Sequence, residues 1–175
     1  NEILKRNMTK EEIINCAKLL KKYGIRFITE NILANPTSTL EDDIETLDLN
    51  LKCRPDFPNV SLLQPYPNTA VFKIAVQNNQ FEEKDVDNIV SFFEGSLLKI
   101  PQMQERINLQ KIFALVVAFP ILRRFVYFLI KRKSLVSVYV LLYSLWRPYC
   151  LIFRIMPHQL TPRELFWLTR RYLTK

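Results

Sequence analysis

Histidine is almost absent from this chain: His158 is the only one. A self-contained zinc centre or a histidine-based catalytic site is therefore not expected. Cysteine is also scarce. Cys16, Cys53 and Cys150 lie far apart, and no CxxC spacing occurs. An autonomous zinc or iron–sulfur site is not supported by that pattern. Three reduced thiols of a cytoplasmic protein are the plainer reading. Glycine is limited to Gly24 and Gly95. The start lacks a charged segment followed by an apolar run, so no signal peptide is expected. The longest uncharged runs, Ile112–Leu122 and Ser134–Trp146, are shorter than the roughly 20 apolar residues that cross a bilayer. A helical hairpin that packs on the domain, or lies at a membrane surface, is expected there rather than a spanning pair.

Acidic residues are missing from one end only. Residues 1–100 carry 12 basic and 15 acidic side chains, whereas the last 75 residues carry 13 and 2. The net charge of +8 therefore belongs to the C-terminal part. Such asymmetry points to an anionic partner: a membrane surface, nucleic acid or an acidic protein face. Nucleic acid is not expected, because no recognition signature is present and aliphatics crowd the aromatics. Aromatics interleave with Arg123, Arg124, Lys131, Arg132 and Lys133 along residues 113–133, a composition suited to an interfacial helix. A cytoplasmic protein peripheral to the membrane is the corresponding expectation.

Two stretches carry the architecture. After a helix opened by the capping-box pair Thr9 and Glu12, Gly24 sits where a left-handed residue ends it. Ile25–Leu33 then reads as a strand, broken at Pro36. Ser38 or Thr39 opens the next helix, with Leu40, Ile44, Leu47 and Leu51 as its apolar stripe. Val60–Leu63 reads as a second strand. Gln64–Thr69, QPYPNT, is a rigid two-proline turn leading to a short helix, Ala70–Gln77. Strand–turn–helix repeats make parallel α/β folds whose sites lie at the strand C-terminal ends. The turns Ala34–Ser38 and Gln64–Thr69 are thus the first places to look for a ligand. Glu30 and Asn31 interrupt the first strand near that end. A ligand role, or pairing with a nearby cation and capping of a neighbouring turn, account for them equally. Asn78–Asp87 reads as a linker, and Val86–Leu98, Gln102–Leu115 and Pro162–Leu173 read as helices.

Three blocks in order resemble the C-terminal half of a radical S-adenosylmethionine (radical SAM) enzyme of the class with a cobalamin-binding domain. Asn1–Thr9, NEILKRNMT, is similar to the family's E-x-L-x-R-x-M-T/S after the fourth strand. Asn31–Asp42, NILANPTSTLED, is similar to N-M-x-G-x-P-G-E-T-x-E-D at the fifth, and QPYPNT to Q/x-P-Y-P-G-T after the sixth. The likeness covers Asn1–Phe93, about half the chain. It implies an α/β fold, the last strand–helix units of a partial (β/α)6 barrel over residues 1–80. A linker and helix follow over 81–100, and an all-α basic region over 101–175. It implies a longer parent chain using S-adenosylmethionine, a [4Fe-4S] cluster and cobalamin. The cluster cysteines and the cobalamin ligands would lie in preceding domains, so these residues alone would be inactive. The reaction implied is radical-based methyl transfer or rearrangement on a small-molecule or lipid-like substrate. Asn31, Ile32, Leu33, Gln64, Pro65 and Tyr66 would wall the cofactor cavity. For Tyr66, plain packing between two prolines is an equal reading. No residue is assigned a catalytic role, and no metal ligand.

The chain departs from that pattern in one loop. Ala34 and Thr37 stand at the family's two glycines and Ser38 at its glutamate. Neither alanine nor threonine enters positive φ cheaply. The turn is expected to take another path, or the site to be altered. Asn68 replaces a further glycine, which asparagine tolerates. The alternative to an enzyme is a membrane-surface helical module carrying a non-catalytic barrel remnant.

Overall fold

A computed structural model describes residues 8–89, 91, 93, 95–155, 161, 163, 164 and 167. Helix α1 (Lys10–Lys22) opens with the expected reciprocal capping box between Thr9 and Glu12. It ends at Tyr23, and Gly24 follows with φ +66°. Strand β1 covers Ile28–Leu33, three residues shorter than the sequence reading. Helix α2 (Leu40–Cys53) is capped by Thr39, whose side chain and Asp42 exchange hydrogen bonds. Its stripe residues Leu40, Ile44 and Leu47 are buried. Strand β2 (Phe57–Leu62) starts three residues earlier than expected, with Pro58 inside it. The two strands pair in parallel, Ile28 opposite Phe57 through Leu33 opposite Leu62. Helix α3 (Ala70–Gln77) begins at Thr69.

Among the described residues of Val86–Leu98, the expected helix does not continue beyond Asn88. A short 3-10 turn occupies Glu83–Asn88, and the described residues beyond it are irregular. Polar contacts hold this segment against the end of β2 instead. The Ser96 hydroxyl donates to the Leu63 carbonyl (2.8 Å) and Gln64 Nε2 to the Gly95 carbonyl (2.6 Å). Phe81, Leu98 and Ile100 are buried in the same core as the strands.

Helix α4 (Met103–Ala118) is the central beam. Of its residues, Arg106, Asn108–Ala114, Val116 and Val117 are all buried, so it has no solvent face along most of its length. A helix covered all round must pair its polar side chains internally. Asn108 Nδ2 accordingly donates to the Ile130 carbonyl (2.7 Å), and Gln110 Nε2 to the Val60 carbonyl of β2 (3.1 Å). A 3-10 turn (Pro120–Phe125), helix α5 (Val126–Ile130) and helix α6 (Val136–Tyr149) follow. Arg123 grips Asp48 of α2 with two hydrogen bonds, 2.5 and 2.8 Å. One hydrophobic cluster joins Leu33, Leu47 and Leu62 to Leu109, Phe113, Val126 and Tyr139.

The C-terminal region corrects one expectation and bears on a second. Phe113, Ala114, Val116 and Val117 point into the core, so the lipid-facing part of 113–133 can begin only at Phe119. Second, α6 runs on into a π-helical turn, Cys150–Ile155. The combined 20-residue helix Val136–Ile155 is long and apolar enough to cross a membrane by length and composition. Counting uncharged runs missed it because Arg147 interrupts the run without ending the helix. The expected terminal helix Pro162–Leu173 lies mostly outside the described residues. At its start, Thr161 and Glu164 exchange capping hydrogen bonds.

Candidate functional site

Side chains alternate across a strand, so the sheet has two distinct faces. β1 packs on α2, and β2 packs on α4. Asn50 of α2 organises the contact with β1: the Thr29 hydroxyl donates to its Oδ1 (2.6 Å), and its Nδ2 donates to Asn31 Oδ1 (2.7 Å). Asn31 Nδ2 in turn donates to the Asn59 carbonyl (3.0 Å). The amide of Asn31 is thus consumed in joining strand to helix. Its expected ligand role gives way to a structural one. Leu33, on the same face, is fully buried in the core, so its side chain is not available to pack on a ligand ring.

The opposite face carries Ile28, Glu30 and Ile32 of β1 and Phe57, Asn59 and Ser61 of β2, of which Phe57 is buried. Ile28, Glu30 and Ile32 are exposed. Asn59 Nδ2 donates to Glu30 Oε2 (2.8 Å), the cross-strand partner set by the register. Among the described residues Glu30 is held by an amide and by no cation. A groove of about 320 Å³ lies beside β1, between α1 and α2, with Ile13, Thr29, Asn31, Ile32, Thr46 and Asn50 along its wall.

The two turns stand side by side at the C-terminal strand ends. The Leu63 N–H donates to the Leu33 carbonyl (2.9 Å), extending the parallel ladder into both. Ala34 adopts φ +62°, the left-handed conformation that the sequence argued against. The surroundings over-determine it. Its N–H donates to both carboxylate oxygens of Asp43 (3.3 Å each). Asp43 is 3% exposed and pairs with Arg106 (3.1 Å), itself 1% exposed. Arg106 also donates to the Ser38 hydroxyl (3.0 Å) and the Ser38 carbonyl (2.7 Å). Gln80 Nε2 holds the Pro36 carbonyl from the other side (2.9 Å). Thr37 stays out of positive φ, and Asn68 takes φ +66° as its type allows. Ser38 is the anchor for Arg106.

This arrangement sets an expectation for Ala34. The left-handed form costs alanine ~1–2 kcal/mol. Glycine relieves that but is more flexible when unfolded, by ~0.4–1 kcal/mol, and loses a buried methyl worth ~0.8 kcal/mol. These cancel, so Ala34→Gly should lie within about 1 kcal/mol of wild type by urea denaturation. Ala34→Val should cost more than about 2 kcal/mol, because β-branching opposes positive φ and the site has no room. Equal stabilities for the two variants would contradict the left-handed turn.

In the second turn, Gln64 is 7% exposed. Its Nε2 is engaged, while its buried Oε1 has no hydrogen-bond partner. An orphaned buried acceptor is costly unless a ligand completes it. Pro65 is buried beside it and Tyr66 is half exposed. Thus Ile32 is exposed and Gln64 keeps an unpaired buried acceptor, while the side chains of Asn31 and Leu33 are engaged within the fold. Sequence reading missed Asp43 and Arg106, which fix the first turn from two other helices. The available signal was a basic residue in a helix with no clear apolar stripe.

A second cavity, about 380 Å³, lies at the N-terminal strand ends, near Lys21, Arg54, Asp56 and Arg154. Lys21 lies in the last turn of α1, and Arg54 caps the C-terminus of α2. Cations there complement the negative ends of helix dipoles. Among the described residues no cluster of His, Cys, Asp and Glu could hold a metal.

Over 78 residues the chain is 27% identical to an uncharacterised methyltransferase of Pyrococcus horikoshii. The match covers 45% of this chain and only 17% of that protein's length. No family model and no solved structure matches.

Proposed function

We propose that these residues form the cofactor-facing part of a methyltransferase that uses S-adenosylmethionine, within a longer chain of the radical SAM, cobalamin-dependent type. The observation that carries this reading is the placement of the two motif-bearing turns. NILANPTSTLED and QPYPNT end adjacent parallel strands and are bonded to each other through Leu63 and Leu33. The likeness to a methyltransferase supports the coarser half of the proposal. The finer half rests on the order of the motifs. The barrel itself, of which β1 and β2 would be the fifth and sixth strands, belongs to the same proposal.

The fit of S-adenosylmethionine rests on Gln64. Its orphaned Oε1 needs a donor, and an adenine amino group is one. Exposed Ile32 offers apolar surface on the open face. Bound there, the cofactor would supply the transferable methyl or the adenosyl radical. The protein's own residues hold the turn. Asp43 and Arg106 fix its backbone, and Asn50 fixes the strand leading to it. The cluster and cobalamin would be held by other parts of the parent chain, and no step is assigned to them.

The test uses the full-length protein. Gln64→Leu should weaken S-adenosylhomocysteine binding at least about tenfold by calorimetry, since a lost buried hydrogen bond costs ~1–3 kcal/mol. Unchanged binding would remove Gln64 from the site. Release of 5′-deoxyadenosine under anaerobic reduction is expected. Methyl transfer without it would leave a methyltransferase but overturn the radical reading.

A further inference from the structure

We propose that the outer face of α6, with the 3-10 turn and α5 before it, seats on the surface of an anionic lipid bilayer. The helix has two sides. Tyr139 and Cys150 are buried, Trp146 packs against the cluster that holds Cys150, and the Tyr139 hydroxyl donates to the Leu129 carbonyl (2.9 Å). The other side carries Leu141, Leu145, Tyr149 and Phe153, spaced four apart, with exposures of 58, 63, 47 and 61%. Residues four apart share one helix face, so these four make a continuous apolar stripe. Phe119, Ile121, Phe125 and Phe128 add at least half-exposed side chains from the preceding turn and α5. An aromatic row links the two parts: Phe119–Trp146, Trp146–Tyr149 and Tyr149–Phe153, with centroids 5.6, 5.5 and 5.5 Å apart. Tryptophan and tyrosine favour the headgroup level of a membrane.

Charge selects the occupant. No acidic residue lies between Glu105 and Glu164. Arg124, Lys131 and Arg132 are exposed beside the apolar side chains, and Arg132 lies over the Phe128 ring at 4.3 Å. Apolar side chains rimmed by cations suit an anionic lipid surface. A second copy of the chain would bring like charges together across a two-fold axis, which opposes self-association. Although Val136–Ile155 is long enough to cross a bilayer, spanning would strip Tyr139 and Cys150 from the core. The helix therefore lies in the interface and stays attached to the domain.

The experiment is flotation of the full-length protein with vesicles of phosphatidylcholine, with and without phosphatidylglycerol. Binding to the anionic vesicles should exceed binding to neutral ones at least about tenfold and weaken with added salt. Leu141→Glu with Leu145→Glu should lower binding at least about 100-fold, with an unchanged unfolding midpoint because both sites are exposed. Arg124→Gln, Lys131→Gln and Arg132→Gln together should lower binding to anionic vesicles about 100-fold and leave neutral vesicles unaffected. The proposal is overturned if the wild type does not float, or if it prefers neutral vesicles. Wild-type binding by the leucine variant, resistance to alkaline extraction (which marks a spanning helix), or a dimer that the leucine variant dissolves would also overturn it. Vesicle binding requires no cofactor, so failure here leaves the strand-end reading untouched.

Discussion

Asp43→Ala is expected to destabilise the protein by about 3–5 kcal/mol, the largest effect of any polar substitution in the site. It leaves the Arg106 guanidinium at 1% exposure without a counter-ion, and arginine does not deprotonate to escape. It also removes the acceptor of the Ala34 N–H, which holds the left-handed turn. Arg106→Met should cost less, at the low end of that range, because the stranded carboxyl can take up a proton. Burial already raises Asp43 to about 6 from an ordinary 3.8, against the pull of Arg106 and the Ala34 N–H. The double change Asp43→Leu with Arg106→Met should recover most of the loss, since no charge is then buried alone. Urea denaturation of the three variants checks the ordering. An Arg106→Met variant less stable than Asp43→Ala would reject this account of the pair.

The same pair gives stability a pH dependence of known sign. The folded carboxyl holds its proton to about pH 6, whereas the unfolded one releases it near 3.8. The unfolded state therefore binds fewer protons in between, and stability falls as pH rises. The contribution from Asp43 is full below the unfolded value and is lost as pH rises through about 6. Denaturation midpoints of wild type against Asp43→Asn over that window would display the slope. A rise in relative stability across it would reverse the assignment.

Phe113→Ala should cost about 3–5 kcal/mol, as expected for a large ring removed from a site with no exposure. Its wider interest is cooperativity. Phe113 belongs to one cluster with Leu33 and Leu62 of the strands and Val126 and Tyr139 of the following helices. Loss of the ring should therefore lower a single unfolding transition seen alike by far-ultraviolet dichroism and by tryptophan fluorescence. Trp146 reports on α6, whereas backbone dichroism reports on all the helices. Two separated transitions would mean that residues 1–80 and 101–155 fold as independent units.

Local elements were readable where one or two side chains decide them. Thr9 with Glu12 marked one helix start, Ser38 or Thr39 before an acidic turn marked the next, which the structure resolves to Thr39 with Asp42, and Gly24 and Asn68 marked left-handed turns. The stripe Leu40, Ile44 and Leu47 marked the buried face of α2. Reading failed where distant partners decide. Val86–Leu98 has helix-like composition, yet Ser96, Gly95 and Gln64 tie it to the end of β2. Phe113–Val117 resembled an interfacial segment because an all-round buried helix and a lipid-facing one share one composition.

The candidate site divides in the same way. The sequence by itself determined the order of strands, turns and helices as far as Gln77, the two turns worth inspecting, and a basic C-terminal end. Only the tertiary structure decided which of their side chains are free. Asn31 is spent on Asn50, and Leu33 is sealed in the core. Gln64 keeps an unpaired acceptor, and Ala34 holds a conformation that alanine does not choose alone. The physical reason is that capping, turns and periodicity act within a few residues. The cost of a buried charge or a left-handed alanine is offset by partners such as Arg106, 68 residues beyond Ser38 along the chain.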